Sequence, residues 1–155
     1  ELEKLSIIDP NSNKIKYDDV KNYVNLIKSY SVFDLTKALG NRQSQAAIFV
    51  YNQLLKDNEP FILILNTIIS YFSKLYKAKL MQKNLFPFDD ISKSLGINKK
   101  YTEEYLNTAQ NFSFKELLTS LENLNKIDFK LKTGQNSYHI NLTNLIYSIA
   151  NTNNR

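Results

Sequence analysis

The stretch that most constrains this chain is FILILNTIISYF, residues 61–72, which is apolar on nearly every side when it is read at the helical period. A helix of this kind must be covered on several sides, so it predicts a central helix, from about residue 60 to residue 83, in a bundle. It does not predict a membrane span, because Asn66, Thr67 and Ser70 interrupt an apolar run that is already shorter than the roughly 18 residues required.

Helical periodicity extends through the rest of the chain. Apolar residues recur at spacings of three and four, whereas the alternation typical of a strand appears only weakly, at residues 137–142. Glycine is scarce, and Gly40, Gly96 and Gly134 each follow a helical segment, where a left-handed helix end is expected. The sequence therefore predicts an all-α fold, a helical bundle.

Two helices early in the bundle have a predicted buried face. In the helix over residues 32–39, Phe33, Leu35 and Leu39 are expected to anchor the helix in the core. The residues expected to be buried in the helix over residues 42–56 are Ala46, Phe49, Val50 and Leu54.

A long helix over residues 113–133 carries a leucine-rich stripe. Its members follow one another at spacings of three and four: Phe114, Leu117, Leu121, Leu124, Asp128 and Leu131. The four leucines are predicted to form the packing surface of the helix. An unpaired carboxylate on such a face costs several kcal/mol, of the order estimated for lone buried ions, and pairing with Lys132 is worth only about 0.2–0.5 kcal/mol. We therefore predict that Asp128 fixes the register of the helix by bonding to the backbone or a basic group of a neighbouring helix.

Residues 89–106, DDISKSLGINKKYTEEYL, have the outline of a DNA-reading helix-turn-helix: a short helix, a turn that contains glycine, and a second helix. Reading DNA requires cations near the phosphates. Between residues 86 and 112, however, three lysines and four carboxylates give a net charge of −1, and Glu103 and Glu104 lie on the second helix. A packed helical corner is therefore the favoured interpretation, and a helix-turn-helix DNA-binding regulator is the alternative.

The sequence offers little material for catalysis or metal binding. Cysteine is absent, which excludes disulfides and thiolate ligands and favours a reducing cytoplasm. The single histidine, His139, follows Tyr138 in a predicted loop, and no pattern pairs it with a nucleophile. Adjacent acidic pairs point about 100° apart on a helix, and isolated glycines do not form a phosphate loop. We therefore expect no catalytic, metal or cofactor site.

The net charge of +5 permits an acidic partner without requiring one. The segment KLKTGQNSY, residues 130–138, combines cations with an aromatic ring. Lys130, Lys132 and Tyr138 are therefore candidates for contact with phosphate or single-stranded DNA. A solvated helix end is the favoured alternative.

The order of the segments is more specific than any one of them. ELEKL, YDDV, SVFDLTKALGN and AAIFVYNQLL are followed by NEP, by the long apolar helix, by DDISKSLGIN and by FSFKELLTSLENLNKIDFKLKTG. In this order they resemble the C-terminal part of the delta subunit of the bacterial DNA polymerase III clamp loader. The resemblance covers nearly the whole chain. This chain differs from the family in the central helix, where Ser73 replaces an arginine of the family and Lys74 follows it.

The resemblance implies a fold, partners and a function. It makes residues 1–30 the end of a small helical lid-type domain and residues 31–155 the collar domain, which joins the gamma/tau and delta prime subunits. The sliding clamp is bound through an N-terminal domain that this sequence lacks, and DNA is met only indirectly. Because delta does not hydrolyse ATP, the implied role is mechanical: an assembly module of the pentameric complex that opens and loads the clamp. The chain begins at Glu1 without an initiator methionine, so we expect it to be a piece of a longer protein.

Overall fold

In the computed structural model, which describes residues 30–135 and 137–151, every regular element is a helix, so the predicted all-α fold is confirmed. The helices are α1 (Val32–Gly40), α2 (Ser44–Lys56), α3 (Phe61–Lys83), α4 (Phe88–Leu95), α5 (Lys99–Gln110), α6 (Phe114–Lys132) and α7 (Tyr138–Asn151). They belong to a compact unit that begins at Ser31. The assignment of residues 1–30 to a lid-type domain lies outside the described residues and stays a prediction.

The central position of α3 follows from its composition. It packs against α1, α4, α5 and α6, while α7 packs against α1, α2 and α6. The buried residues of α3 are Ile64, Leu65, Ile68, Phe72, Leu75 and Ala78. Burying one large aliphatic or aromatic side chain contributes about 1.5–3 kcal/mol, so this helix supplies much of the core.

Two helices begin with a capping box. At α1, the hydroxyl of Ser31 accepts from the backbone N–H of Asp34, and the Asp34 carboxylate accepts from the backbone N–H of Ser31 at 2.9 Å. At α6, Ser113 and Glu116 make the same exchange, with N–H to oxygen distances of 3.1 and 2.6 Å. Each box satisfies donors that a helix N-terminus otherwise leaves without a partner.

Five of these helices end in the same backbone motif. A residue one or two positions beyond the last residue of the helix takes a left-handed conformation. Its N–H and the next N–H donate to carbonyls of the last turn. The left-handed residues are Arg42, Asn58, Leu85, Gly96 and Gly134. The prediction for Gly96 and Gly134 is thus confirmed, and the prediction for Gly40 is wrong, because Arg42 takes that conformation after α1.

Gly40 is required for a different reason. It is the last residue of α1, and a Cβ placed on it would lie 2.7 Å from Cγ2 of Thr108 and closer still to the hydroxyl of Tyr71. These atoms belong to α5 and α3. The absent side chain therefore lets the end of α1 approach both helices.

Arg42 connects segments that are distant in sequence. Its guanidinium donates to the carbonyl of Asn111 at 2.8 Å and to the carbonyl of Ile149 at 2.9 Å. It also donates to the Glu116 carboxylate at 2.6 Å and lies 4.2 Å from the centre of the Phe112 ring. Because its side chain is only 4% exposed, these contacts satisfy a nearly buried charge.

The predicted buried face of α2 is wrong by one residue at two positions. Ala47 and Val50 are buried, whereas Ala46 is exposed and Phe49 is about half exposed. Adjacent apolar pairs allow either face to point inward. Tyr51, which is almost completely buried, decides between them because its large ring lies on the same side as Ala47 and Leu54.

Replacing Gly40 by alanine should destabilise the fold. In open space this change would favour the helix, but here the new methyl group displaces the Tyr71 ring or Thr108, so we expect a loss of about 1–3 kcal/mol. Chemical denaturation measures it. As a control, Gly134→Ala has nothing near its new Cβ and reports only the cost of a left-handed alanine. A Gly40→Ala variant as stable as the parent would contradict the close packing.

Glu116 should make the free energy of unfolding depend on pH in the acidic range. Burial alone would raise its pKa, but the hydrogen bonds from Ser113 and the contact with Arg42 outweigh burial and hold the pKa below its usual value. The contribution of Glu116 is therefore fully present above about pH 4.5, its ordinary pKa, and is lost as the pH falls through the lowered value. We expect Glu116→Gln to lose stability at neutral pH and to show a weaker dependence below pH 4.5 in denaturation curves. Glu122→Gln, an exposed position on α6, is the control, and an unchanged acid dependence in Glu116→Gln would contradict this role.

Candidate interaction surface

Phe33 does not anchor α1 in the core. Leu35 and Leu39 are fully buried as predicted, but the Phe33 side chain is 76% exposed. The core-facing residues of α1 follow the sequence Val32, Leu35 and Leu39 at spacings of three and four. Phe33 lies one position away from this stripe, about 100° around the helix, and therefore faces outward.

The outward-facing side chain of Phe33 borders a groove, which lies between α1, α3 and the corner formed by α4 and α5. The groove has a volume of about 730 Å³, and its apolar lining is mostly aromatic: Phe33, Tyr71, Ile97, Tyr101 and Tyr105. The rings of Tyr71 and Tyr105 are 5.4 Å apart, and the Tyr101 side chain is 52% exposed. Large amphipathic rings in a concave surface are typical of the residues that dominate protein–protein interfaces.

Polar residues surround this aromatic surface. Lys37, Lys74 and Glu104 all line the groove. Burial raises the pKa of Tyr71 well above its ordinary value, and burial with the nearby Glu104 carboxylate raises that of Tyr105. Both phenols therefore stay neutral at physiological pH, and the groove carries two cations and one anion around an uncharged surface.

The helix-turn-helix outline corresponds to α4, a turn at Gly96, and α5. The hydroxyls of Ser92 and Thr102 bond to each other at 2.8 Å inside the corner, and Lys99 pairs with Asp89 at 2.6 Å on its surface. The hydrogen bond from Lys99 holds the pKa of Asp89 below its usual value. Two buried hydroxyls and a surface ion pair thus hold the two helices against each other. This arrangement agrees with the packed helical corner that the sequence favoured.

The α5 helix turns a mixed face toward the groove. Tyr101, Glu104 and Tyr105 line the groove, and Glu103 is exposed. A recognition helix needs donors and cations on its reading face. The arrangement therefore disfavours DNA reading by this corner.

The core face of α6 is rotated from the predicted stripe. Leu117 and Leu124 are fully buried, whereas Leu121 and Leu131 are only partly buried. The residues of α6 that the structure buries are Leu117, Ser120, Leu124 and Ile127. A pattern of leucines alone missed this face because two of its four positions are Ser120 and Ile127.

Asp128 lies at the edge of the buried face, with its side chain 21% exposed. One carboxylate oxygen accepts from Lys132 of the same helix at 2.6 Å, and the other is buried with no hydrogen-bond partner among the described residues. The structure therefore shows the pairing within α6 and not a bond to a neighbouring helix. A role for Asp128 in fixing the register stays a prediction.

The residues proposed for nucleic-acid contact have separate surroundings. Lys132 is paired with Asp128, and the half-buried Tyr138 lies with its ring centre 4.8 Å from that of Phe61. Lys130 lines a cleft of about 370 Å³ between α6 and α7, and Lys126 lines the same cleft. The spacing of four residues between these two lysines could have indicated their shared face, which the sequence interpretation missed.

His139 is in a helix and not in the predicted loop. Tyr138 and His139 are the first two residues of α7, and the His139 ring packs edge-on against Phe61 with ring centres 4.5 Å apart. Within the described ranges, no three His, Asp or Glu side chains are placed to hold a metal ion. None of the helices described for this chain is both long and apolar enough to cross a membrane.

Comparison with known proteins assigns this helical unit to a family. The family model described as "DNA polymerase III delta subunit, C-terminal domain" matches residues 29–149, and the chain belongs to this family. The expected resemblance is thereby confirmed.

The chain is also similar to a curated protein and to a solved structure from Bacillus subtilis. The DNA polymerase III subunit delta of strain 168 is 24% identical over all 155 residues of this chain, which correspond to 45% of its own length. The solved structure of the DNA clamp loader delta protein has a TM-score of 0.70 at 24% identity and covers 96% of this chain and 44% of that protein. This likeness shows that the fold is shared, and the chain spans less than half the length of either relative.

Asp128→Leu should stabilise the fold. The change removes a buried oxygen without a partner, which costs about 1–3 kcal/mol, and loses an exposed ion pair worth at most about 1 kcal/mol. We therefore expect the free energy of unfolding to rise by about 1 kcal/mol in chemical denaturation. Lys132→Met, which removes only the ion pair, is the control and should change little. A loss of stability in Asp128→Leu would support the register-fixing role instead.

Proposed function

We propose that this chain is the C-terminal assembly module of the delta subunit of the DNA polymerase III clamp loader. It helps to hold together the pentameric complex that opens the sliding clamp and loads it on DNA during replication in the cytoplasm. Its partners are the collar domains of the gamma/tau and delta prime subunits, and the clamp itself is bound by an N-terminal domain of the full subunit. Membership of the delta C-terminal family supports the proposal.

The observation that carries the proposal is the groove beside Phe33. The Phe33 side chain is 76% exposed and is not part of the core. The half-exposed ring of Tyr101 lines the same groove. Leaving large rings in water forgoes the free energy of burial. Both rings gain it when a partner covers the groove, so the groove is the proposed assembly surface.

A mechanical role agrees with the chemistry of the described residues. The groove contains cations and a carboxylate, and burial raises the pKa values of its Tyr71 and Tyr105 phenols. His139 lies elsewhere, against Phe61. A general base needs a pKa near the working pH and a reacting group within hydrogen-bond reach. We therefore propose that this chain catalyses no reaction and that it positions other subunits.

Contact with DNA is a secondary part of the proposal. Lys130 and Lys126 share the cleft between α6 and α7, where side-chain amides also line the wall, so this face could follow a phosphate backbone. Lys132 and Tyr138 are less available, because one is paired with Asp128 and the other packs against Phe61. The three residues first proposed, Lys130, Lys132 and Tyr138, remain candidates on these terms.

Mixing the 155-residue chain with the gamma/tau and delta prime subunits of the same organism at micromolar concentrations tests the proposal. We expect a complex in size-exclusion chromatography, and Phe33→Ser or Tyr101→Ser should weaken it at least tenfold, since interface anchors commonly contribute 2 kcal/mol or more. Both variants should keep the stability of the parent, because neither side chain is in the core. Tyr147→Ser, at a similarly exposed ring on α7, is the control.

The outcomes separate the function from the surface. If the parent chain forms no complex, the proposed function fails. If the complex forms and the Phe33 and Tyr101 variants bind like the control, only the choice of surface fails. A parallel titration with duplex DNA that revealed a sequence preference would instead favour the DNA-binding regulator.

A further inference from the structure

Two rows of polar side chains line the cleft between α6 and α7. They are Asn123, Lys126 and Lys130 on α6 and Asn141, Asn144 and Ser148 on α7. Both rows advance by three residues and then by four, so the members of each row share one face of their helix. The cleft is therefore bounded by polar groups on both sides.

The apolar residues of the cleft belong to the core. Ile127 and Leu145 line it from the two helices and are only 3% and 7% exposed. The helices pack together through these residues, and the polar rows border the space that remains. Its volume of about 370 Å³ suits a ligand of small-molecule size. A helix of a partner protein, about 10–12 Å across with its side chains, is too wide for it.

The cleft has an excess of positive charge. Within the described residues, two lysines and no carboxylate line it, and neither Lys126 nor Lys130 takes part in an ion pair. Glu122, one turn before Lys126, lines the adjoining hollow with both lysines and offsets at most one of the two charges. Asp128 is already paired with Lys132, and α7 contains no acidic residue. The cleft therefore attracts an anion.

The asparagine side chains add groups that both donate and accept hydrogen bonds. In the part of the chain that the structure describes, Asn123 and Asn144 make no side-chain hydrogen bond. A phosphate accepts hydrogen bonds and needs only donors, whereas the edge of a nucleobase offers both donors and acceptors, as in the pairing of asparagine with adenine. Cations beside unpaired amides therefore fit a ligand in which a phosphate adjoins a base.

We propose that the cleft between α6 and α7 binds a nucleotide, with the phosphate at Lys126 and Lys130 and the edge of the base at Asn123 and Asn144. The two lysines are one turn apart, about 6 Å along the helix, so their long side chains reach the same phosphate. A free nucleotide and a unit of a single strand present the same groups. The inference rests on the secondary part of the proposed function, the phosphate contact of the two lysines, and adds the recognition of a base.

The proposal is tested by NMR titration of the 155-residue chain with AMP, with inorganic phosphate and with a short single strand of oligodeoxyadenylate. We expect AMP to bind at least tenfold more tightly than phosphate. Lys126→Ala and Lys130→Ala should each weaken the binding of both at least tenfold, the loss expected for a hydrogen bond to a charged group. Asn144→Ala should weaken the binding of AMP alone, because its amide meets the base.

Two variants outside the cleft are matched controls. Lys115→Ala on α6 and Asn107→Ala on α5 remove the same types of side chain from exposed positions, and both should bind AMP like the parent. Lys126 and Asn144 are also exposed, so their variants should keep the Tm of the parent. A loss of binding in these variants then reports the cleft and not the fold.

The outcomes separate the ligand from its source. If the strand binds at least tenfold more tightly than AMP, and Lys126→Ala weakens both, the nucleotide is a unit of a strand. Affinities within tenfold of each other assign the cleft to a free nucleotide.

Other results overturn the proposal. If phosphate binds as tightly as AMP, or if Asn144→Ala leaves the affinity for AMP unchanged, the cleft takes an anion and not a nucleotide. The proposal is also wrong if the parent binds neither AMP nor the strand, or if a polyglutamate peptide binds more tightly than both. None of these results changes the complex with the gamma/tau and delta prime subunits, which tests the assembly role separately.

Discussion

The contact between Arg42 and Glu116 joins three parts of the fold at one point. Glu116 completes the capping box that begins α6, and the same carboxylate binds the guanidinium of Arg42. The guanidinium in turn holds the carbonyls of Asn111, which precedes α6, and of Ile149, near the end of α7. Because the charge is nearly buried, each of these partners is needed to offset its desolvation. The turn between α1 and α2 is thereby fixed relative to helices that lie far along the chain.

With these helix ends fixed, α3 can be enclosed by its neighbours. Phe72 on α3 meets Phe112 edge-on with ring centres 5.6 Å apart, and Phe112 also lies beneath Arg42. The apolar core and the buried charge therefore share an aromatic ring. Phe33 and Leu85 lie outside this closed core. Their exposure is therefore not a failure of core packing.

The sequence predicted the class of fold and the helices well, because their signals are local. Glycine at the ends of α4 and α6 and the apolar run in α3 each act through their own segment. The predictions failed where a choice depends on a neighbouring helix. Ala46 and Ala47 are equally apolar, and only packing around Tyr51 selects which of them is buried.

The candidate surfaces were harder to predict for the same reason. Phe33 was expected in the core because periodicity gives the direction of a side chain only within about one residue, and the groove needs residues of three helices to meet. The sequence predicted that Gly40 forms a left-handed helix end, whereas the structure shows that it allows a close approach to Tyr71. Such an approach leaves no pattern in the sequence. Leu85 leaves no local signal at all, because a left-handed leucine is recognised only from its backbone.

The capping box at Ser31 has a consequence beyond the start of its own helix. Ser31 and Asp34 each accept a hydrogen bond from the backbone N–H of the other, so two donors of the first turn are satisfied by atoms of the turn itself. The same turn carries Phe33, which lines the groove. The box that starts α1 therefore also holds one wall of the groove in place.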